Sequence, residues 1–106
     1  MRLLSRAEEI ILLAVLSLEG EAYGIAIQDF IHERTGTEWS FAQIYGPLNK
    51  LARKGYVSKF NGEPTPERGG RHKCFYSITA GGKAALAEIR RVQDRVWNSV
   101  TKGAIT

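Results

Sequence analysis

The sequence predicts a mainly α chain with a small β-hairpin, an α+β fold, and three observations carry that expectation. Apolar residues recur at helical spacing from Ser5 to Lys54. The period then changes to two short β-branched and aromatic runs around a glycine- and proline-rich stretch. From Ala80 onward helical spacing returns. With 106 residues and 43% apolar content, the chain has enough for one modest core rather than two independent ones.

Ser5-Arg6-Ala7-Glu8 has the spacing of a capping box, in which serine hydroxyl and glutamate carboxylate each satisfy an orphan amide at a helix start. The helix it opens runs to about Leu18 and is closed by Gly20. Ile10, Ile11, Leu13, Ala14, Val15 and Leu16 leave it apolar on nearly every side, so burial against more than one neighbour is expected. A second helix is expected over Tyr23 to Arg34, with Tyr23, Ile27, Phe30, Ile31 and Arg34 on one face and Gly36 as its stop. Trp39 follows as a core-packing residue, and Ser40 is placed to cap a third helix that ends before Gly55. Its inward positions are Phe41, Ile44, Leu48 and Leu51; Gln43, Tyr45, Asn49, Lys50 and Arg53 fall outward.

Tyr56 to Phe60 and Lys73 to Ile78 have the composition of strands, and the stretch Asn61 to Gly70 between them, with three glycines and two prolines, reads as a long hairpin loop. Thr79 caps a last helix from about Ala80 to Val100. Ala85, Ile89, Val92, Val96 and Val100 repeat there at steps of three and four, a narrow apolar stripe on an otherwise charged helix. Such a seam suits association with another helix better than burial in a core.

The net charge of +4 is unevenly spread. Residues 1–40 hold three basic and seven acidic side chains, whereas residues 50–73 hold seven basic and two acidic ones. A basic middle points to a polyanionic partner, nucleic acid first and an anionic membrane second, with a merely solvated charged face as the bland alternative. The order of three helices, a hairpin and a helix gives that charge a place, because it is the order of a winged helix-turn-helix: the third helix enters a major groove and the hairpin wing touches the adjoining backbone. On this reading Ser40, Gln43, Tyr45, Asn49, Lys50, Arg53 and Lys54 of the third helix and Arg68, Arg71, His72 and Lys73 of the wing face double-stranded DNA. The cations neutralise phosphates while Gln43 and Asn49 read base edges. Tyr45 has two readings, a phosphate or sugar contact and a half-buried prop of the third helix on the second. The expected division is a DNA-binding unit over residues 1–79 and a dimerisation helix with its tail over residues 80–106.

Ile10 to Leu16, Ala22-Tyr23-Gly24, Ile44-Tyr45 with Leu48 and Leu51, Lys54-Gly55, Gly62 to Arg71, Phe75-Tyr76 and Thr79 to Gly82 follow one another in an order that resembles the PadR-like transcriptional regulators. The resemblance spans roughly Ser5 to Ala84 and is that of the short type with a single C-terminal helix. It implies a dimeric regulator, usually a repressor, acting on a pseudo-palindromic operator. It also implies a role for Trp97, since an aromatic on this helix in some short members lines a central pore for flat apolar ligands. Trp97 is therefore a candidate platform for a small apolar or aromatic effector, or else an aromatic anchor of the interface. The family pattern has proline directly after the third-helix tyrosine. Here Gly46 intervenes and Pro47 follows, which predicts a third helix that starts late or bends.

Other chemistry finds little footing. Two histidines, one cysteine and scattered carboxylates form no nucleophile-base motif and no metal-ligand spacing, so neither an enzyme nor a cofactor or metal is expected. Cys74 reads as a small half-buried apolar residue, and without a second cysteine a reducing, cytoplasmic setting is expected. The longest uncharged apolar run, Ile10 to Leu18, is less than half of the roughly 20 residues a membrane span needs. The reading from another class is a winged-helix module that binds an acidic protein through the same basic face.

Overall fold

The computed structural model of the chain describes residues 3–64 and 72–100. The elements run α1 (Arg6–Leu18), β1 (Ala22–Tyr23), α2 (Gly24–Thr35), α3 (Phe41–Arg53), β2 (Val57–Pro64), β3 (His72–Ile78) and α4 (Ala80–Asn98). None of the described helices is long and apolar enough to cross a membrane.

Local chemistry sets most helix ends. At α1 the Glu8 N–H donates to Ser5 Oγ at 3.1 Å and the Ser5 N–H donates to Glu8 Oε1 at 2.8 Å, so the capping box forms in both directions. Glu19 turns left-handed at φ 38° to close this helix just before Gly20. The α2 helix ends where the Gly36 N–H, at φ 73°, donates to the His32 carbonyl. At α4 the Thr79 hydroxyl accepts from the Gly82 N–H at 3.0 Å and donates to the Gly55 carbonyl at 2.6 Å. One side chain thus starts the last helix and ties it to the turn after α3.

The core gathers Ile11, Leu12 and Val15 of α1, Ile27 and Ile31 of α2, and Ile44, Leu48 and Leu51 of α3 under Val57 and Tyr76 of the sheet. Trp39 and Cys74 pack against it from the side, and burial together with the neighbouring Cys74 thiol pushes the Tyr76 hydroxyl pKa upward. The sheet has order β1-β3-β2, all antiparallel. Ala22 pairs with Tyr76 and Tyr23 with Phe75, while β2 pairs with β3 from Val57↔Ile78 to Asn61↔Cys74 before an irregularity ahead of Pro64↔His72.

Three expectations are corrected. A third strand, β1, adds to the hairpin and takes Tyr23 out of the second helix. Phe41 is 48% exposed rather than inward, because the first turn of α3 projects past the core. As expected, α1 is buried against more than one neighbour, packing on α2, α3, α4 and β3, although Leu13 and Leu16 stay exposed. The third helix does not start late, and it continues through the proline: α3 runs from Phe41 through Pro47 to Arg53. Proline removes one hydrogen-bond donor to Gln43, but Ser40 anchors the first turn, and Ile44, Leu48 and Leu51 hold the helix from the core side.

Candidate nucleic-acid interface

The outward side of α3 is an exposed helix face within the basic middle of the chain. Asn49, Lys50 and Arg53 are exposed there in the last two turns of α3. Among the described residues no carboxylate pairs with Lys50 or Arg53, so both cations are available to an anion. These two basic residues also stand in the final turn, where the negative end of the helix dipole favours them.

Three neighbours in the expected set are engaged within the chain. Ser40 Oγ accepts from the Gln43 N–H at 3.2 Å, and Gln43 Oε1 accepts from the Ser40 N–H at 2.7 Å. Together they make the capping box of α3, which spends the carbonyl end of the Gln43 amide on the helix start. The Ser-x-x-Gln spacing carried that signal in the sequence. Lys54 does not join the outward cations. Its Nζ donates to Glu8 Oε2 at 2.8 Å, with the lysine side chain 28% and the glutamate side chain 7% exposed. Burial raises the Glu8 carboxyl, but hydrogen bonds from Lys54 and Ser5 outweigh it and hold its pKa below the usual carboxylate value. Glu8, read from sequence only as a cap, is thus also the anchor of the α3 end.

Tyr45 stands on the exposed side of α3 with its ring end against Gly24 at the start of α2. Of its two sequence readings this contact is the prop of α3 on α2, and Phe41 lies beside it with ring centroids 6.1 Å apart. In the wing, Arg68 and Arg71 lie outside the described residues, as do the side chains of His72 and Lys73. Lys59 of β2 is exposed.

The predicted seam of α4 divides in two. Ile89 is only 6% exposed and is already largely covered by its own subunit. Sequence spacing could not tell a stripe facing a partner from one facing α1. Ala85 and Val92 are half-buried, whereas Val96 at 60%, Trp97 at 57% and Val100 at 40% are exposed. Across from them Gln93 Nε2 lies 3.1 Å from both Glu9 carboxylate oxygens and ties α4 to α1. A groove of about 300 Å³ runs beside this pair, lined by Leu3, Leu4, Val92, Val96 and Trp97 among others. Among the described residues no group of histidine, cysteine and carboxylate side chains is arranged to hold a metal.

Comparison with solved structures places this arrangement among known regulators. A PadR-like transcription factor from Bacteroides fragilis superposes with a TM-score of 0.76 at 22% identity, over 87% of this chain and 84% of that one. A transcriptional regulator from Clostridium thermocellum gives 0.68 at 25% identity, over 91% and 90%. The Bacillus subtilis PadR in complex with operator DNA gives 0.67 at 24% identity, over 80% of this chain and 46% of that one. No curated protein matches the sequence significantly. The Transcriptional regulator PadR-like family matches residues 12–88, most of the folded part from α1 into α4, and the chain belongs to that family.

Proposed function

We propose that the protein is a transcriptional repressor that binds a pseudo-palindromic operator as a homodimer, with α3 in the major groove and the wing on flanking phosphates. The observation that carries this reading is the exposed α3 face on which Asn49, Lys50 and Arg53 stand free of carboxylate partners. The Bacillus subtilis relative, whose structure holds operator DNA, supports the same use of this fold here. Lys50 and Arg53 neutralise phosphates, and Asn49 suits an adenine edge. On this reading Arg68, Arg71, His72 and Lys73 of the wing contact the flanking phosphates.

The exposed apolar end of α4, Val96, Trp97 and Val100, together with Leu13 and Leu16 of α1, supports pairing of two subunits. Residues 80–106 then act as the dimerising part and residues 1–79 as the DNA-binding part. Trp97 and the groove beside it are the place for a small apolar or aromatic effector that relieves repression in the cytoplasm. Gel shifts of the purified protein against its own promoter region and against random duplex at moderate salt test the proposal. A clear preference for the promoter is expected, and equal binding to both overturns it.

A further inference from the structure

The hydroxyl end of Tyr45 fills space that only a glycine leaves open. A Cβ added to Gly24 would lie 2.0 Å from Tyr45 Oη and 2.8 Å from Cζ, far inside ordinary contact. Gly24 is buried and opens α2 directly after β1, so Tyr45 of α3 is seated on the β1–α2 junction. On the strand side of that junction, Tyr23 meets Phe75 edge-on at 5.4 Å, and Phe75 stacks on Phe60 at 5.6 Å. The pairing register sets Tyr23, Phe75 and Phe60 directly opposite one another, on the face of the sheet away from the buried Ala22 and Tyr76. Gly62 repeats the device, because a Cβ there would lie 2.3 Å from Phe75 Cε2. A path of close contacts therefore leads from α3, through Gly24 and Tyr23, to both strands of the wing.

We propose that Gly24 is a positioning residue for DNA binding: by yielding its Cβ volume to Tyr45 it fixes the angle between α3 and the wing. The inference rests on the DNA-binding reading of those two elements. A helix in the groove and a wing on the backbone engage one duplex together only when their mutual orientation is held to within about half an ångström. A methyl group at position 24 would drive the Tyr45 ring end outward by about 1.5 Å to restore ordinary contact. Tyr45 is 37% exposed, so it can swing toward solvent. With the ring displaced, α3 loses its seat on the β1–α2 junction, so its orientation is no longer held while the core stays intact.

The test uses the full chain, a duplex recovered by selection from a random pool, and a scrambled duplex of equal composition, with affinity read by fluorescence anisotropy. Gly24→Ala is expected to bind the selected duplex about tenfold more weakly and the scrambled one within about twofold of the unchanged protein, since phosphate attraction is retained. In the double variant Gly24→Ala with Tyr45→Ala, affinity is expected to match Tyr45→Ala alone, because without the ring the added methyl displaces nothing. Gly24→Ala binding as tightly as the unchanged protein, or costing the same factor with and without the Tyr45 ring, overturns the proposal. If circular dichroism shows Gly24→Ala unfolded, Tyr45→Ala carries the test: loss confined to the selected duplex supports the proposal, and unchanged discrimination overturns it. An unchanged protein that does not discriminate between the duplexes overturns the DNA-binding reading itself, and this proposal with it.

Discussion

Lys54 Nζ donates to Glu8 Oε2 at 2.8 Å, joining the end of α3 to the first turn of α1 across 46 residues of sequence. The same carboxylate accepts from the Ser5 N–H through its other oxygen, so one buried side chain both starts α1 and holds α3.

That arrangement predicts an acid-sensitive stability. The Glu8 pKa is lowered in the fold from its usual 4.5, so its contribution is fully present above that value and is lost as the pH falls through the lower folded value. Urea unfolding of Glu8→Gln should show a deficit at pH 7 that shrinks toward pH 3. Lys54→Met should cost about 2 kcal/mol at pH 7, because it leaves a buried carboxylate without its cation. A deficit for Glu8→Gln that does not change with pH would contradict the assignment.

Two glycines should respond oppositely to alanine. A Cβ on Gly82 would lie 2.3 Å from the Tyr56 carbonyl oxygen and 2.7 Å from Ile78 Cγ1. Since backbone cannot give way as a side-chain tip can, Gly82→Ala is expected to destabilise by about 3 kcal/mol. Gly46 sits in the exposed middle of α3, and apart from its chain neighbours and the backbone of its own helix nothing lies within 4 Å of its Cβ position. Gly46→Ala should therefore stabilise the chain by about 1 kcal/mol through helix propensity. Thermal unfolding of both variants checks the contrast.

The outer and inner parts of the α4 stripe should separate by substitution. Ile89→Glu places a charge where the subunit's own packing leaves 6% exposure, and it should unfold the subunit. Val96→Glu, at 60% exposure, should leave the circular dichroism spectrum unchanged while light scattering shows half the mass of the unchanged protein. A folded Val96→Glu of unchanged mass would remove this end of α4 from the proposed interface.

The sequence was most readable where chemistry is local. Ser5 with Glu8 and Thr79 with the turn of α4 are short-range caps, and the strand runs either side of the loop declared themselves by composition. β1 was hidden because two residues carry no period, and Ala22-Tyr23 becomes a strand only when β3 lies beside it. Phe41 satisfied helical spacing yet stands outside, since spacing gives a face but not how far the core extends beneath it. Lys54 sits in the same basic run as Lys50 and Arg53, and only the fold brings Glu8 to it. The sequence offered Tyr45 as a prop of α3 on α2, but only the fold shows that it seats on Gly24.

The salt dependence of duplex binding tests the central claim, that the outward face of α3 is the DNA interface, most directly. Plotting the logarithm of affinity against the logarithm of salt concentration counts the phosphates neutralised, at about 0.9 per contact. The account predicts that Lys50→Ala with Arg53→Ala lowers the slope by about 2 while Lys54→Ala, its charge already held by Glu8, lowers it by much less. An unchanged slope in the folded Lys50→Ala, Arg53→Ala variant would contradict it.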